Sequence, residues 1–383
     1  MIPYGKQDIT QDDIDAVIEV LKSDFLTQGP MIPEFEKCVA EYCQALHGVA
    51  FNSATSALHV ACLSLGLGPG DYLWTSPNTF VASANCGVYC GAAIDFVDID
   101  PHTYNISVEA LSEKLKRADH SGELPKVLIP VHFAGQSCQM REIRQLTDKY
   151  GVRVIEDASH AIGGEYLAGK IGSCRYSDIT IFSFHPVKII TTGEGGMALT
   201  NDPVLAERMA RLRSHGITRD QARMSGVSDG PWYYEQLELG FNYRMTDIQA
   251  ALGYSQMARI DQYISKRRSL AHRYDSLLSD LPIGTPWQHP DTRSAYHLYP
   301  IKISEIVPGR SSIFAALRKN NIGVNVHYIP VHMQPFYRNM GFRTGDFPVS
   351  EEYYARAISL PLYPGLTEDQ QDYIVSALAD ALV

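Results

Sequence analysis

Lys188 lies in the segment Ser183-Phe184-His185-Pro186-Val187-Lys188-Ile189-Ile190-Thr191-Thr192-Gly193-Glu194-Gly195-Gly196-Met197, among apolar residues and glycines. Lysines ordinarily occupy solvated faces. An amine withdrawn from water loses proton affinity and becomes a nucleophile suited to Schiff-base chemistry; a surface lysine beside a turn is the plain alternative. Gly193, Gly195 and Gly196 permit close backbone approach and positive φ. A second segment, Val154-Ile155-Glu156-Asp157-Ala158-Ser159-His160, is an apolar run that ends in acids. A carboxylate at the end of a buried strand needs a partner to stay charged, and a protonated heterocycle would serve; Asp157 equally reads as a cap on the following turn. The small and hydroxylated run Asn52-Ser53-Ala54-Thr55-Ser56-Ala57-Leu58 opens a helical pattern. Free N–H groups and the positive dipole end at such a start suit a phosphate, although Ser and Thr there also act as simple caps. Finally, polar residues crowd Gly240–Gly253 just before a helix, marking a binding edge.

Composition narrows what these groups could serve. The chain has 383 residues, 45% hydrophobic and 20% charged, which excludes a disordered or fibrous protein. It contains no run near the ~20 apolar residues of a membrane span. The start, MIPYGKQDIT, lacks a basic region followed by an apolar one, so a cytoplasmic location is expected. With 43 acidic against 33 basic residues and a net charge of −10, nucleic acid is not an expected partner. An anionic ligand must be held by a local site. The seven cysteines form no CxxC pair; Cys86 and Cys90 have helical spacing but no accompanying histidine cluster, and no metal site is expected.

Alternating elements must position the reactive groups. Thr10 and Asp13 signal the start of a helix carrying Ile14, Val17, Ile18 and Leu21. Ser53–Leu65 reads as another helix, stopped by Gly66, Gly68, Pro69 and Gly70. Strands are expected at 72–75, 92–97, 127–131, 152–155 and 179–184, with helices at 82–90, 108–117 and 139–150 between them. Strands without polar alternation imply burial on both faces, hence a mostly parallel sheet between helices. From Asp247 to Leu281 one or two long helices are expected. Prolines and Gly284 then mark a linker, followed by strands near 297–303 and 322–328 and a last helix started by Thr367 and Gln370. The division is a large domain over 1–245 and a helical connector with a small C-terminal domain over 246–383.

The order of phosphate cap, acid and lysine resembles the DegT/DnrJ/EryC1/StrS family of sugar aminotransferases. The resemblance runs from about Tyr4 to Gly365, and is carried by 156–164, 183–197 and 240–253 with Val326-His327-Tyr328-Ile329-Pro330 and Ser359–Thr367. It implies the aspartate-aminotransferase fold, fold type I of pyridoxal-phosphate enzymes: α/β, a large domain with a mostly parallel mixed sheet plus a small α+β C-terminal domain. Within the family the chain looks most like the pseudaminic-acid branch, through 26–29, 51–58, 159–163, 230–234 and 297–301. That branch aminates C4 of a UDP-linked 4-keto-6-deoxy-N-acetylhexosamine, with L-glutamate as the expected donor.

Carried over position by position, Lys188 matches the lysine that holds pyridoxal phosphate as a Schiff base and then moves the proton. Asp157 matches the carboxylate paired with the pyridine nitrogen, and His160 the position near the cofactor's phenolic oxygen, where a satisfied core histidine is the competing reading. Phe80 matches the ring-stacking aromatic. Thr55, Ser56 and Ser183 match the phosphate cup, with Asn242 reaching in from a neighbouring subunit, so a homodimer with shared sites is expected. Tyr4, Leu26, Thr27, His327 and Tyr328 lie in segments that line the sugar-nucleotide pocket. Relatives with histidine in place of the lysine dehydrate the sugar instead, but Lys188 is present here. Three other readings are open to test: an aminotransferase for another nucleotide-linked keto sugar, a non-catalytic sensor on the same fold, and a Rossmann dehydrogenase, which would need the GxGxxG that the first strand lacks.

Overall fold

The structure, a computed structural model, describes residues 1–305 and 309–383. Seven strands form its central sheet: β1 (His47–Phe51), β2 (Tyr72–Thr75), β3 (Ala93–Phe96), β4 (Val127–Ile129), β5 (Arg153–Asp157), β6 (Ile179–Ser183) and β7 (Gly196–Thr200). Their order is β1-β7-β6-β5-β4-β2-β3. Only β7 runs antiparallel to its neighbours; the other adjacent pairs are parallel. Helices α1 (Gln11–Lys22), α2 (Met31–Cys43), α3 (Ala54–Ser64), α4 (Ala82–Tyr89), α5 (Val108–Ser121), α6 (Met140–Tyr150) and α7 (Pro203–Leu212) accompany this sheet.

Successive side chains of the inner strands serve two separate cores, as the two-residue period of a strand requires. Leu128 and Val154 pack with Trp74, Leu111 and Ile143 on one side. Ile129 and Ile155 pack with Phe51, Leu58 and Met209 on the other. The continuous apolar runs therefore mean burial on both faces, and the strand ends become the place where polar residues gather.

After the sheet come α8 (Asp247–Met257) and α9 (Ile260–Leu277). Ile260, Tyr263 and Ile264 at the start of α9 join the core around Phe35 and Phe184. Leu270, Ala271, Tyr274 and Leu278 near its end join a different core around Tyr299, Ile358 and Ile374. Between them Arg267, 1% exposed, gives Nη1–H to the carbonyls of Tyr296, His297 and Leu362. The second core rests on an antiparallel sheet of β8 (Ile283–Gly284), β9 (Tyr299–Ile303) and β10 (Ala357–Leu360). The final helix spans Glu368–Ala381, with Thr367 Oγ1 accepting from the Gln370 N–H at 3.2 Å.

The segment 322–328, expected as a strand, forms no ladder. Among the described residues, Ile322 bridges only to Ile2 and Asn325 only to Ser359. Ile322 and Val324 bury their side chains in the second core while their neighbours bond to two different partners, so no register propagates. Helix α1 starts as expected, with the Thr10 N–H donated to Asp13 at 2.9 Å. Its Ile14, Ile18 and Leu21 nevertheless lie exposed, because the buried contacts of α1 come from Asp13 and Val20. No described helix is long and apolar enough to cross a membrane.

Candidate active site

Lys188, Asp157 and the start of α3 meet in one cavity of about 500 Å³ at the strand ends. Each arrives by a separate device. The Lys188 loop leaves β6 at Ser183 and returns as β7, with Ser183 opposite Gly196. Its base is tied by the Phe184 N–H to the Gly195 carbonyl at 2.9 Å and by the Thr192 N–H to the Phe184 carbonyl at 3.0 Å. Ile189 and Ile190 are buried and anchor the loop, while Lys188 faces the cavity. Burial lowers the Lys188 amine to about 8, against the opposing pull of Asp157. The amine is thus partly neutral near neutral pH, as a nucleophile or base must be.

Asp157 ends β5 and is almost wholly buried at the cavity wall. Its Oδ1 accepts the Ser159 N–H at 3.1 Å, and its Oδ2 accepts the Ser83 hydroxyl at 2.6 Å. The adjacent Glu156 turns to the other side of the strand. There it meets His132 Nε2 at 2.6 Å and accepts the Thr180 hydroxyl at 3.1 Å. Strand alternation thus separates an acid spent on structure from one that faces the cavity.

The third device is helix capping. Ser53 Oγ accepts the Ser56 N–H at 3.1 Å, which leaves Ser53, Ala54 and Thr55 lining the cavity. A Cβ on Gly196 would lie 2.5 Å from the Ala54 nitrogen, so glycine is what lets the helix start sit against β7. Ser56 does not line the cavity; its hydroxyl turns to Asn52 Oδ1 at 2.7 Å.

Facing these groups are His160, Tyr4, Phe80, His327 and Tyr328. His160 Nδ1 accepts the Ala134 N–H at 3.3 Å, so its proton lies on Nε2, 3.0 Å from the Tyr328 hydroxyl. Burial, then Lys188 and His327, hold His160 well below the usual histidine range. His327 falls to about 3 through burial and Lys188, and its Nδ1 lies 2.8 Å from Ser359 Oγ. His297, whose ring centroid is 4.5 Å from that of His160, is likewise pushed down by burial and by Lys188. The imidazoles of His160, His297 and His327 near Lys188 are therefore held neutral. Burial, Asp157 and Tyr4 push the Tyr328 phenol up. Phe80, 59% exposed, presents its ring to the cavity, 6.3 Å from that of Tyr328.

Of the residues singled out from sequence, Tyr4, Thr55, Phe80, Asp157, His160, Ser183, Lys188, His327 and Tyr328 share this cavity. Leu26 and Thr27 lie outside it: Thr27 bridges to Thr246, and the Leu26 carbonyl accepts the Asp247 N–H at 3.0 Å. Asn242 is exposed and bridges to Ser214, also away from the cavity. Much of the polar crowding at 240–253 is structural. Thr246 and Gln249 cap α8, and Asp247 accepts the N–H groups of Gly29 and Met31 at 2.8 and 2.9 Å. Sequence reasoning did not single out Ser83, Thr79, Asn325 or Glu194. Glu194 stands inside a segment already quoted and Thr79 beside Phe80, whereas Ser83 lies in plain helix and carries no sequence signal.

The donor set fits pyridoxal phosphate. Lys188 would hold its carbonyl carbon, Asp157 its ring nitrogen, Phe80 a ring face, and Ser53–Thr55 with Ser183 its phosphate. The sequence profile of the DegT/DnrJ/EryC1/StrS aminotransferase family matches residues 7–379. The chain is 40% identical over 384 residues to the spore coat polysaccharide biosynthesis protein SpsC of Bacillus subtilis, covering 99% of this chain and 96% of that one. It is 35% identical over 387 residues to the UDP-4-amino-4,6-dideoxy-N-acetyl-beta-L-altrosamine transaminase of Campylobacter jejuni, covering 100% and 98%. A Streptococcus pneumoniae protein assigned as a sugar aminotransferase, solved in PMP and PLP forms, superposes in its PMP form with a TM-score of 0.91 at 30% identity, covering 100% of this chain and 99% of that one. With fold, cavity and whole-length similarity in agreement, the chain belongs to the DegT/DnrJ/EryC1/StrS aminotransferase family and is a pyridoxal-phosphate-dependent sugar aminotransferase.

Proposed function

We propose that the enzyme moves an amino group from L-glutamate to C4 of a UDP-linked 4-keto-6-deoxy-N-acetylhexosamine, as in a pseudaminic-acid type pathway. The observation that carries the chemistry is the Lys188 amine, lowered to about 8, sharing one cavity with Asp157 and the α3 start. Bound pyridoxal phosphate supplies an electrophilic carbonyl and an electron-withdrawing ring. Lys188 would take the proton from the donor's Cα in the first half-reaction and give a proton to the sugar's C4 in the second. Asp157 would favour a proton on the ring nitrogen. Ser53, Thr55 and Ser183 bind phosphate without basic side chains, which suits a chain of net charge −10. His160 and Tyr328 form a hydrogen-bonded wall opposite. The similarity to the Campylobacter transaminase supports the sugar.

The functional unit in this reading is a cytoplasmic homodimer. Ile14, Ile18, Leu21, Phe25 and Leu26 are large apolar side chains exposed near the chain start. Asn242 completes the phosphate cup of a neighbouring copy. The chain is 40% identical to SpsC, named for spore coat polysaccharide biosynthesis, against 35% to the altrosamine transaminase, so another nucleotide-linked keto sugar is the reading tested beside it. Incubation with glutamate and a panel of keto sugar nucleotides, followed by NMR of the products, decides between them. A C4 amine on the UDP-4-keto-6-deoxy sugar is expected; preference for a 3-keto or non-UDP substrate overturns the assignment. A sensor on this fold would show no turnover with any member of the panel.

A further inference from the structure

The Asp157 carboxylate does not stand alone at the cavity wall. Its Oδ2 accepts the Ser83 hydroxyl at 2.6 Å, a length typical of a hydroxyl bonded to a charged carboxylate. Ser83 Oγ lies in turn 2.8 Å from Thr79 Oγ1. The only hydroxyl proton of Ser83 goes to Asp157, so Thr79 must be the donor in the second bond. The chain of donors therefore has one direction, Thr79 to Ser83 to Asp157. Ser83 is fully buried and Thr79 2% exposed, so water does not substitute for either. Ser83 lies in the first turn of α4 and Thr79 in the bend before that helix, and their hydroxyls meet beside Asp157 at the end of β5. Oδ1 is held separately by the Ser159 N–H. Donors on both oxygens restrain the carboxylate against rotation, and Asp157 lines the cavity.

We propose that Ser83, backed by Thr79, is a positioning residue that aims Asp157 and decides where the proton shared between Asp157 and the ring nitrogen of bound pyridoxal phosphate resides. A hydroxyl that donates to a carboxylate favours its charged form. With Ser83 in place the shared proton stays on the ring nitrogen; without it the proton moves toward Asp157. Successive hydroxyls polarise one another, so Thr79 strengthens the Ser83 bond although it does not touch the carboxylate. The inference rests on Asp157 being the partner of the ring nitrogen.

The test reads the holoenzyme's visible absorption band against pH, since a less positive ring makes the lysine-bound imine more basic. Ser83→Ala is expected to raise the band's midpoint by about one pH unit, the tenfold change that one hydrogen bond to a charged group is worth. Thr79→Val, nearly equal in volume and leaving Ser83 intact, is expected to raise it by less. Asp157→Asn is the control and should raise it most. A raised midpoint in Ser83→Ala or Thr79→Val with native-like apoprotein melting supports the inference. An unchanged midpoint in both, beside a raised one in Asp157→Asn, overturns it. An unchanged midpoint in Asp157→Asn removes the role of Asp157 itself, and the inference falls with it. If Ser83→Ala does not fold, the midpoint of Thr79→Val decides by itself.

Discussion

The cavity wall at the strand ends and the exposed segments 9–28 and 224–242 differ in how far one chain satisfies them. At the strand ends each reactive group has partners from its own chain: Asp157 with Ser83 and Ser159, His160 with Ala134 and Tyr328, the Lys188 loop with its own neighbours. In those two segments Ile14, Leu21, Phe25, Leu26, Trp232 and Leu239 are exposed, and Asn242 does not line the cavity. Exposed large apolar side chains suit an association surface. The contrast separates chemistry that one chain preorganises from a part of the site that, in the proposed dimer, a second copy would complete.

The sharpest way to break the contrast is at Lys188. Lys188→Ala should lower turnover by about 10³-fold or more, the range lost with a general base that acts in both half-reactions. Steady-state assay with glutamate and the keto sugar checks it, and retained turnover would remove the amine from the mechanism. Asn242→Ala is next. It should weaken pyridoxal-phosphate affinity about tenfold, by the worth of a hydrogen bond to a charged group. Co-expression with Lys188→Ala should restore activity, because each mixed dimer then has one intact site. Mixed dimers with no gain would show that each chain completes its own site.

Two smaller effects concern the apoprotein and sharpen the claim that the strand-end wall is buried. Lys188 has its folded value near 8 against 10.5 in an unfolded chain, so between these pH values the unfolded state binds more protons and stability rises with pH. Apo Lys188→Met should therefore melt above wild type, by most below pH 8, with the gap closing toward pH 10.5. Differential scanning fluorimetry across that window reads the sign. His327, His160 and His297 are held neutral in the fold, which makes stability fall as pH drops below 6.5, for His327 down to about 3. His327→Gln should shift the acid-unfolding midpoint to lower pH; an unchanged midpoint would mean that this ring is solvated.

The parts of this arrangement that were legible beforehand are the ones with local causes. An apolar run ending in acids can only be a buried strand with a polar tip, and β5 with Asp157 is that. Ser53 as a cap and the break after Ser64 follow from helix-end chemistry. Asp247 looked like part of a binding edge, yet it ties down Gly29 and Met31, more than 200 positions away in sequence. Ser83 gave no signal because nothing within a helix of small residues shows which carboxylate lies above it. The strand expected at 322–328 failed for a related reason: apolar alternation shows that side chains are buried, but pairing depends on which distant segments offer free backbone groups.

From its sequence alone this protein's element types, the buried strand ends and the segments that carry lysine, acid and phosphate cap were determined, because periodicity and capping act over a few residues. Only the tertiary structure decided which of the candidate residues share a cavity, how far the Lys188 amine is shifted and which hydroxyl holds Asp157. Those properties come from desolvation and hydrogen bonds between segments remote in sequence, and no local pattern encodes them.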